Sequence, residues 1–544
     1  MSILDEIVRQ RKKDLAEKGS ALGFSIPAER TRKPPVPFIA QKGAVLEIKR
    51  ASPSKGDIAP ELDAAATAAA YASAGASAIS VLTEQRWFKG SLSDLLDTCR
   101  AVDDYAAANK TGRIAVLRKD FLLFPEEIDI AYRAGADAVL LISRILSDDE
   151  LVAMAKRTVS YGMTAFIELR LESDLEKLAK VSAAVGTANI VCGVNARDLS
   201  DFSIDLLTPC TMLSKIQALL GNNARVIFES GIRTPDAAWF AGSLGFTGML
   251  LGEAAARNPA EAAALVRSFV EAPGTKNAVA WLQIAPRIFS QRYGAKSECA
   301  HAPQNREPRP FIKVCGLTTV ADALYATMGG ADFLGFIFCK KSPRNVDVSV
   351  ISAIKKIIRE EFNQGNCQDE HIFAAGNYEE APKLVGVITD CTSQESRAAI
   401  GMVADGTLDF LQVHGECAIK DFFADKELRK LPHFCVVNIS SEADLAAFDA
   451  LRQRGEPRIM VDAKTDTAIG GTGLQIARPL IQKIKEKTRL WLAGGICPGN
   501  VEEIIRTCSP ELIDVNSGVE SAPGKKDEEK LLSLFTTVDQ ICSS

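Results

Sequence analysis

The chain has only four histidines among 544 residues. A multi-histidine metal centre is not expected from so few, and no H-E-x-x-H is present. The thirteen cysteines include no C-x-x-C pair. That argues against a zinc site or a disulfide framework and for reduced thiols in a cytoplasm. Basic excess is also missing: the net charge is -5, and no basic tract of the kind that binds anionic membranes occurs. A nucleic-acid-binding role is therefore not expected. No apolar stretch is long enough to span a bilayer. The opening "MSILDEIVRQRKKDLAEKG" reads as a charged amphipathic helix, not a signal peptide.

What is present is 47% hydrophobic and 24% charged residues, the balance of a globular protein. The length suggests two domains of roughly 250 residues each. Short apolar runs recur, most followed by Ala-, Leu-, Glu- and Lys-rich segments with helical spacing. In the first half they are "VLEIKR" (45–50), "AISVLTE" (78–84), "IAVLRKDF" (114–121), "AVLLISR" (138–144), "TAFIELR" (164–170), "NIVCGVNAR" (189–197), "RVIFESG" (225–231) and "GMLLGEA" (248–254). Eight strands alternating with helices is the count of a (β/α)8 barrel. A doubly wound sheet predicts five or six strands and usually a glycine-rich turn after the first. "EIKRASPSKG" lacks that turn.

A second series of eight follows: "FIKVCGLT" (311–318), "DFLGFIF" (332–338), "KLVGVITD" (383–390), "FLQVHG" (410–415), "HFCVVNIS" (433–440), "RIMVDAK" (458–464), "LWLAGGI" (490–496) and "LIDVNSGV" (512–519). The expected fold is α/β, two tandem (β/α)8 TIM barrels. Residues 1–270 form the first with an N-terminal helical extension, and 310–544 form the second. Residues 271–309, mixed in polarity, read as a linker in which "NAVAWLQIAPRIFSQRYG" forms a short helix. The stretch 362–382 is longer than a helix-to-strand loop needs. Such loops lie away from the catalytic face, so it is expected to be silent.

Active sites of such barrels lie at the C-terminal strand ends, where polar residues inside apolar runs are informative. Glu47 and Lys49 are two apart on strand one, so they share a face. Lys119 is on strand three and Glu168 on strand five; Asn195 and Arg197 end strand six; Glu229 and Ser230 end strand seven. Burying these charges unpaired for structure alone costs several kcal/mol each. Gly231, Gly252 and Glu253 lie where such barrels bind phosphate, beside glycines that let backbone amides approach an anion. In the second half Cys315 ends strand one and Asp462 ends strand six, a thiol and a carboxylate fit for shuttling protons. Arg344 follows strand two and His414 ends strand four. Gly494, Gly495, Asn516 and Ser517 make a second glycine-rich phosphate site, and "IGGTG" (469–473) resembles a phosphate loop.

"EIKRASPSKG", "LRKDF", "FIEL", "GVNARDL", "FESGI" and "LLGEA", in this order, resemble indole-3-glycerol-phosphate synthase. "KVCGLT", "LGFIF…KSPR", "LQVHGE", "DAK…GGTG", "LAGGI" and "DVNSGVE…PGKKD" resemble phosphoribosylanthranilate isomerase. The resemblance implies a fused, bifunctional enzyme of tryptophan biosynthesis. It implies an Amadori rearrangement in the second half, with Asp462 as general acid, Cys315 as a general base that is partly thiolate at neutral pH, and Arg344 on the anthranilate carboxylate. A nearby positive charge and backbone amides are expected to lower the thiol's pKa.

For the first half the resemblance implies ring closure, then loss of CO2 and water. Lys119 would be the general acid and Glu168 the acid/base of dehydration. Lys49 would meet the substrate carboxylate or phosphate, tuned by Glu47. Asn195, Arg197, Glu229, Ser230 and Ser52 would orient hydroxyls and phosphate, and Trp87 and Phe88 would wall the anthranilate ring. Residues 1 to about 40 would cover the barrel mouth, with "RTRKPPVPF" a stiff lead into the barrel. No metal and no cofactor is implied, and the partners are small phosphosugar-anthranilate substrates. A fused pair has less need of a partner chain, so a cytoplasmic monomer is expected. Three other readings remain: one half retained as a dead scaffold, a phosphosugar-binding protein without catalysis, or another phosphate-binding barrel isomerase. The last would carry paired aspartates where strand one here has Glu47 with Lys49, or Cys315.

Overall fold

A computed structural model describes residues 3–197, 203–297, 308–363, 381–463 and 476–543. The chain divides into two compact units, Met1–Gly274 and Thr275–Ser544. In the first unit the barrel strands are β1 (Gly43–Ile48), β2 (Ala78–Leu82), β3 (Ala115–Lys119), β4 (Ala138–Ile142), β5 (Thr164–Leu169), β6 (Ile190–Asn195), β7 (Val226–Glu229) and β8 (Gly248–Leu251). All pair in parallel, and β1 closes the ring by pairing with both β2 and β8. Such strands are covered on both faces, so they are written almost wholly in Val, Ile, Leu and Ala. Val45, Leu117, Leu140, Phe166, Val191 and Ile227 pack together in the barrel interior. The connecting helices begin at polar caps. Ser91 accepts the Asp94 N–H ahead of Leu92–Asn109, and Ser147 with Glu150 forms a reciprocal box ahead of Asp148–Ser160.

The chain reaches β1 by way of both barrel ends. Helix α1 (Ile3–Lys18) lies at the C-terminal face, where Ile3, Leu4 and Ile7 wall the central cavity. It is pinned there by Arg11, which donates to Asp120 (3.0 Å) and Glu127 (2.6 Å) in the protein interior. The "RTRKPPVPF" segment belongs to the opposite end. Arg30 and Arg32 both grip Asp137, the residue before β4. Phe38 then packs edge-on against Phe166, with centroids 5.7 Å apart, and plugs the barrel floor. Only the first part of the N-terminal forty residues therefore covers the mouth; the rest seals the base.

The second unit repeats the ring with β9 (Phe311–Val314), β10 (Phe333–Phe338), β11 (Lys383–Ile388), β12 (Phe410–His414), β13 (His433–Ile439), β14 (Ile459–Ala463), β15 (Trp491–Ala493) and β16 (Leu512–Val515). All sixteen apolar runs are thus barrel strands. The floor of this barrel is aromatic: Trp491 packs on Phe333 and Phe434. Helix α2 (Lys276–Ser297) adds Trp281 from below, 5.4 Å from Phe410 and 6.1 Å from Trp491. Much of the stretch read as linker is therefore a wall of the second unit. Residues 364–380, most of the expected insertion, and the "GGTG" run lie outside the described residues.

Candidate active sites

The first site is a chain of alternating charges inside the barrel. Glu47, on the inward face of β1, lies 3.3 Å from Lys49 Nζ and 3.2 Å from Lys119 Nζ. Lys119, at the end of β3, reaches Glu229 of β7 at 3.0 Å. Two ammonium groups thus neutralise two carboxylates. Burial would raise the Glu47 pKa, but Lys119 and Lys49 hold it below the ordinary value. Burial works against the Lys119 charge, and Glu229, Glu47 and Glu168 more than offset it, so its pKa is raised. Glu168 is the third acid, and among the described residues no cation forms an ion pair with it. Burial first, then repulsion from Glu229, pushes its pKa up to about 8, so it keeps its proton at neutral pH. Glu229 Oε1 is buried and has no hydrogen-bond partner among the described residues.

Glycines make room for these carboxylates. A Cβ at Gly193 of β6 would come within 2.1 Å of Glu229 Oε1, and one at Gly252 within 2.6 Å of Glu47 Oε1. The cavity of about 170 Å³ is lined by the first-half site residues read from the sequence, Trp87 excepted: Glu47, Lys49, Ser52, Phe88, Lys119, Glu168, Asn195, Arg197, Glu229, Ser230, Gly231, Gly252 and Glu253. Glu84 shapes the loop that supplies its aromatic wall, accepting the N–H groups of Arg86, Trp87 and Phe88. Phe88 faces the cavity, with Lys49 Nζ 5.4 Å from its ring centroid. Trp87 does not; it lines a small cleft with Ile7, Arg11 and Leu22 under α1. At the end of β7 Ser230 (φ 71°) and Gly231 (φ 85°) are both left-handed. A left-handed serine is strained backbone, of the sort concentrated at functional sites. The helix after Gly252 is a single short piece, Glu253–Arg257, and Glu253 pairs with Arg233 and Arg257.

The second site stands at the same address with other groups. Cys315 follows β9, buried, and Asp462 sits on β14, buried. Burial, then repulsion from Asp514, pushes the Asp462 carboxyl up to about 7. The thiol departs from the expectation of a lowered pKa. Burial pushes it above the ordinary thiol value, and Lys313, the leading opposing influence, does not reverse that. The residue sits deeper than a sequence motif can reveal, and desolvation penalises the thiolate. Arg344 is held by Glu520, Nε at 2.9 Å from Oε1 and Nη2 at 2.7 Å from Oε2. Its Cδ and the Asn516 side chain both crowd the space beside Gly316. His414 Nε2 lies 3.0 Å from Asn438 Oδ1, and burial keeps the imidazole neutral by lowering its pKa. Gly494 (φ 98°) and Gly495 (φ 65°) repeat, after the seventh strand, the left-handed pair of Ser230 and Gly231. Gly494 also packs against Asp462, and Ser517 opens the short turn Ser517–Val519 beside Asn516.

Several residues went unread in the sequence. Lys313 and Asp514 are an interior ion pair beneath Cys315, with Nζ 3.0 Å from each carboxylate oxygen. The signal was available, because "KVC" and "IDV" place both side chains on inward strand faces. Lys526 and Glu520, in the hairpin after β16, pair at 3.0 Å, and Lys526 also donates to Asn516. Gly193 was a glycine inside a strand, which marks a close approach.

Among the described residues no helix is long and apolar enough to cross a membrane. Residues 4–268 match the family model of indole-3-glycerol phosphate synthase, and residues 312–537 that of N-(5'phosphoribosyl)anthranilate (PRA) isomerase. A "Multifunctional tryptophan biosynthesis protein" of Schizosaccharomyces pombe is 30% identical over 99% of this chain and 66% of its own length. The chain therefore spans just under two thirds of that relative. "Tryptophan biosynthesis protein TRP1" of Phytophthora nicotianae is 31% identical over 86% of each chain. An "Indole-3-glycerol phosphate synthase" of Rippkaea orientalis is 37% identical over 49% of this chain and 89% of its own. The chain belongs to the indole-3-glycerol phosphate synthase family in its first barrel and to the phosphoribosylanthranilate isomerase family in its second.

Proposed function

We propose that the chain catalyses two consecutive steps of tryptophan biosynthesis. The second barrel converts N-(5-phosphoribosyl)anthranilate to carboxyphenylamino-deoxyribulose phosphate. The first closes that ketone to indole-3-glycerol phosphate with loss of CO2 and water. The observation that carries this reading is the contrast at one address. The first barrel mouth holds the charge chain Lys49–Glu47–Lys119–Glu229 with a protonated Glu168 beside it. The second holds a buried thiol and a carboxyl poised near neutrality.

In the second barrel Asp462, pushed up to about 7, still carries a proton to give at neutral pH. It protonates the furanose ring oxygen, and the C1′–O bond breaks to leave an iminium. Cys315 as thiolate takes the C2′ proton, forming an enolamine that becomes the ketone. Arg344, fixed by Glu520 through Nε and one Nη, offers its remaining edge to the anthranilate carboxylate. Gly494, Gly495, Asn516 and Ser517 hold the phosphate, and neutral His414 borders the sugar.

In the first barrel Lys119 stays an ammonium and donates to the ketone oxygen as the aromatic carbon attacks. Decarboxylation restores the ring, and Glu168 gives its proton to the departing hydroxyl. Lys49 meets the substrate carboxylate and Phe88 stacks on the ring. The unpartnered Glu229 Oε1 accepts a sugar hydroxyl, with Asn195 alongside. Ser52, Arg197, Ser230, Gly231 and Gly252 take the phosphate, while Glu253 keeps Arg233 at that end. The chain acts as a cytoplasmic monomer, a fused pair of barrels having less need of a partner chain. Light scattering tests the monomer.

The deciding experiment supplies phosphoribosylanthranilate to the purified chain and resolves ketone and indole products. Both should form in sequence. Cys315→Ala should stop the first step and spare the second; Lys119→Ala should accumulate the ketone. Loss of both steps in either folded variant would overturn the two-site reading.

A further inference from the structure

The interior of the second barrel buries a full charge where packing alone would choose an apolar side chain. Lys313 is fully buried on β9, two residues before Cys315, and both enter the barrel. The strand register places it directly beside Asp514 of β16, whose two carboxylate oxygens each accept from Nζ at 3.0 Å. The same ammonium faces the Cys315 sulfur and favours its charged form. Gly335 of β10 leaves room for this arrangement: a Cβ there would lie 2.8 Å from Cys315 Sγ and 2.9 Å from Lys313 Nζ. A buried ion pair stabilises a fold little more than apolar residues of the same volume, and often less. The layer below it is aromatic, so an apolar filling was open to this barrel.

The charges around the pair face both reacting groups. Cys315 faces Lys313, Asp514, Lys526 and Arg344. Asp462 faces Asp514 and Lys313. Asp514 also faces Lys526 and His414. We propose that Lys313 and Asp514 are a positioning pair for the isomerase. Lys313 holds the Cys315 sulfur and favours its thiolate, while Asp514 anchors Lys313 and keeps the proton on Asp462. The proposal rests on Cys315 being the base and Asp462 the acid. Among the influences on the thiol, Lys313 is the largest that opposes burial; on Asp462, Asp514 is the largest that adds to it.

The test uses the full-length chain. The thiolate of Cys315 is titrated by ultraviolet absorbance, wild type minus Cys315→Ser, alongside the pH profile of isomerase kcat/KM. In Lys313→Met the thiolate titration should move up by about one pH unit or more, and kcat/KM near neutrality should fall about tenfold, with KM little changed. Lys313→Arg should restore much of both. Asp514→Asn should move the limb that reports Asp462 to lower pH. Lys313→Met leaves a buried carboxylate unpaired and threatens folding, so the double variant Lys313→Met/Asp514→Leu removes both charges together. It should still raise the thiolate titration, because the lysine is the stronger influence. An unmoved thiolate titration in that folded double variant would overturn the proposal. Wild-type turnover by Cys315→Ser would instead overturn the assignment of the base, and is visible without any change at Lys313.

Discussion

Arg344 and Glu520 form a two-point ion pair, Nε to Oε1 at 2.9 Å and Nη2 to Oε2 at 2.7 Å. Glu520 is itself steadied by Lys526 at 3.0 Å. A guanidinium has five N–H donors in a fixed fork, so this pairing fixes the plane and leaves one edge free. Arg344 is thus set before any anthranilate carboxylate arrives. Glu520→Gln keeps the shape and removes the charge. The isomerase KM should rise about tenfold, equivalent to roughly 1.4 kcal/mol of lost binding, with kcat changed little. Steady-state kinetics checks this; an unaltered KM would mean that Glu520 only shapes its hairpin.

Glu168 yields a prediction of opposite sign for stability and activity. In the folded barrel it holds its proton up to about pH 8, against an ordinary value of 4.5. Between those values the folded state binds more protons than the unfolded one, so stability falls as pH rises. Glu168→Gln removes that dependence. The first unit should melt higher than wild type at pH 8 and nearly the same at pH 4, by calorimetry. Synthase kcat should drop on the order of a hundredfold or more, the usual size of a lost general acid. A variant that melts lower at pH 8 would show that the carboxyl is not penalised there.

The N-terminal helix should matter to one activity only. Arg11 joins α1 to Asp120, the neighbour of Lys119, and to Glu127. Removing one partner of a buried pair costs about 3–5 kcal/mol. Arg11→Met should loosen α1 and with it the wall made by Ile3, Leu4 and Ile7. Synthase KM should rise severalfold and proteases should cut nearer the N-terminus, with isomerase kinetics unchanged. Unchanged synthase KM with α1 still protected would exclude this role.

The sixteen strands were legible because a buried parallel strand must be an apolar run, and each was one. Glu47, Lys49, Lys119 and Glu168 were legible for the converse reason: a charge in such a run needs a purpose. Lys313 and Asp514 obey the same rule, but their pairing was not legible, because they stand 201 residues apart and meet only where the first and last strands close the ring. The protonation of Cys315 was not legible at all. It is a balance between burial and Lys313, and a sequence carries neither the depth nor the distance. Trp87 and Phe88 are adjacent and alike in composition. Only the fold of the loop around Glu84 sends one to the cavity and the other beneath α1.

The least legible element was α2, and it sets where the second unit begins. Its residues looked like linker because their apolar positions meet the end of a barrel instead of a neighbouring helix. Yet Trp281 is fully buried against Phe410 and Trp491, and the Asn277 side chain accepts the His433 backbone N–H. A polypeptide starting at residue 310 would expose the aromatic floor to water. One starting at residue 275 keeps it covered. The shorter piece should be the less stable by several kcal/mol, since truncating a buried Trp alone costs about 3–5 kcal/mol. Trp281→Ala in the full chain should reproduce that loss and spare the catalytic face, so isomerase kcat/KM below the melting range should hold. Equal melting temperatures for the two pieces would show that α2 is only a connector.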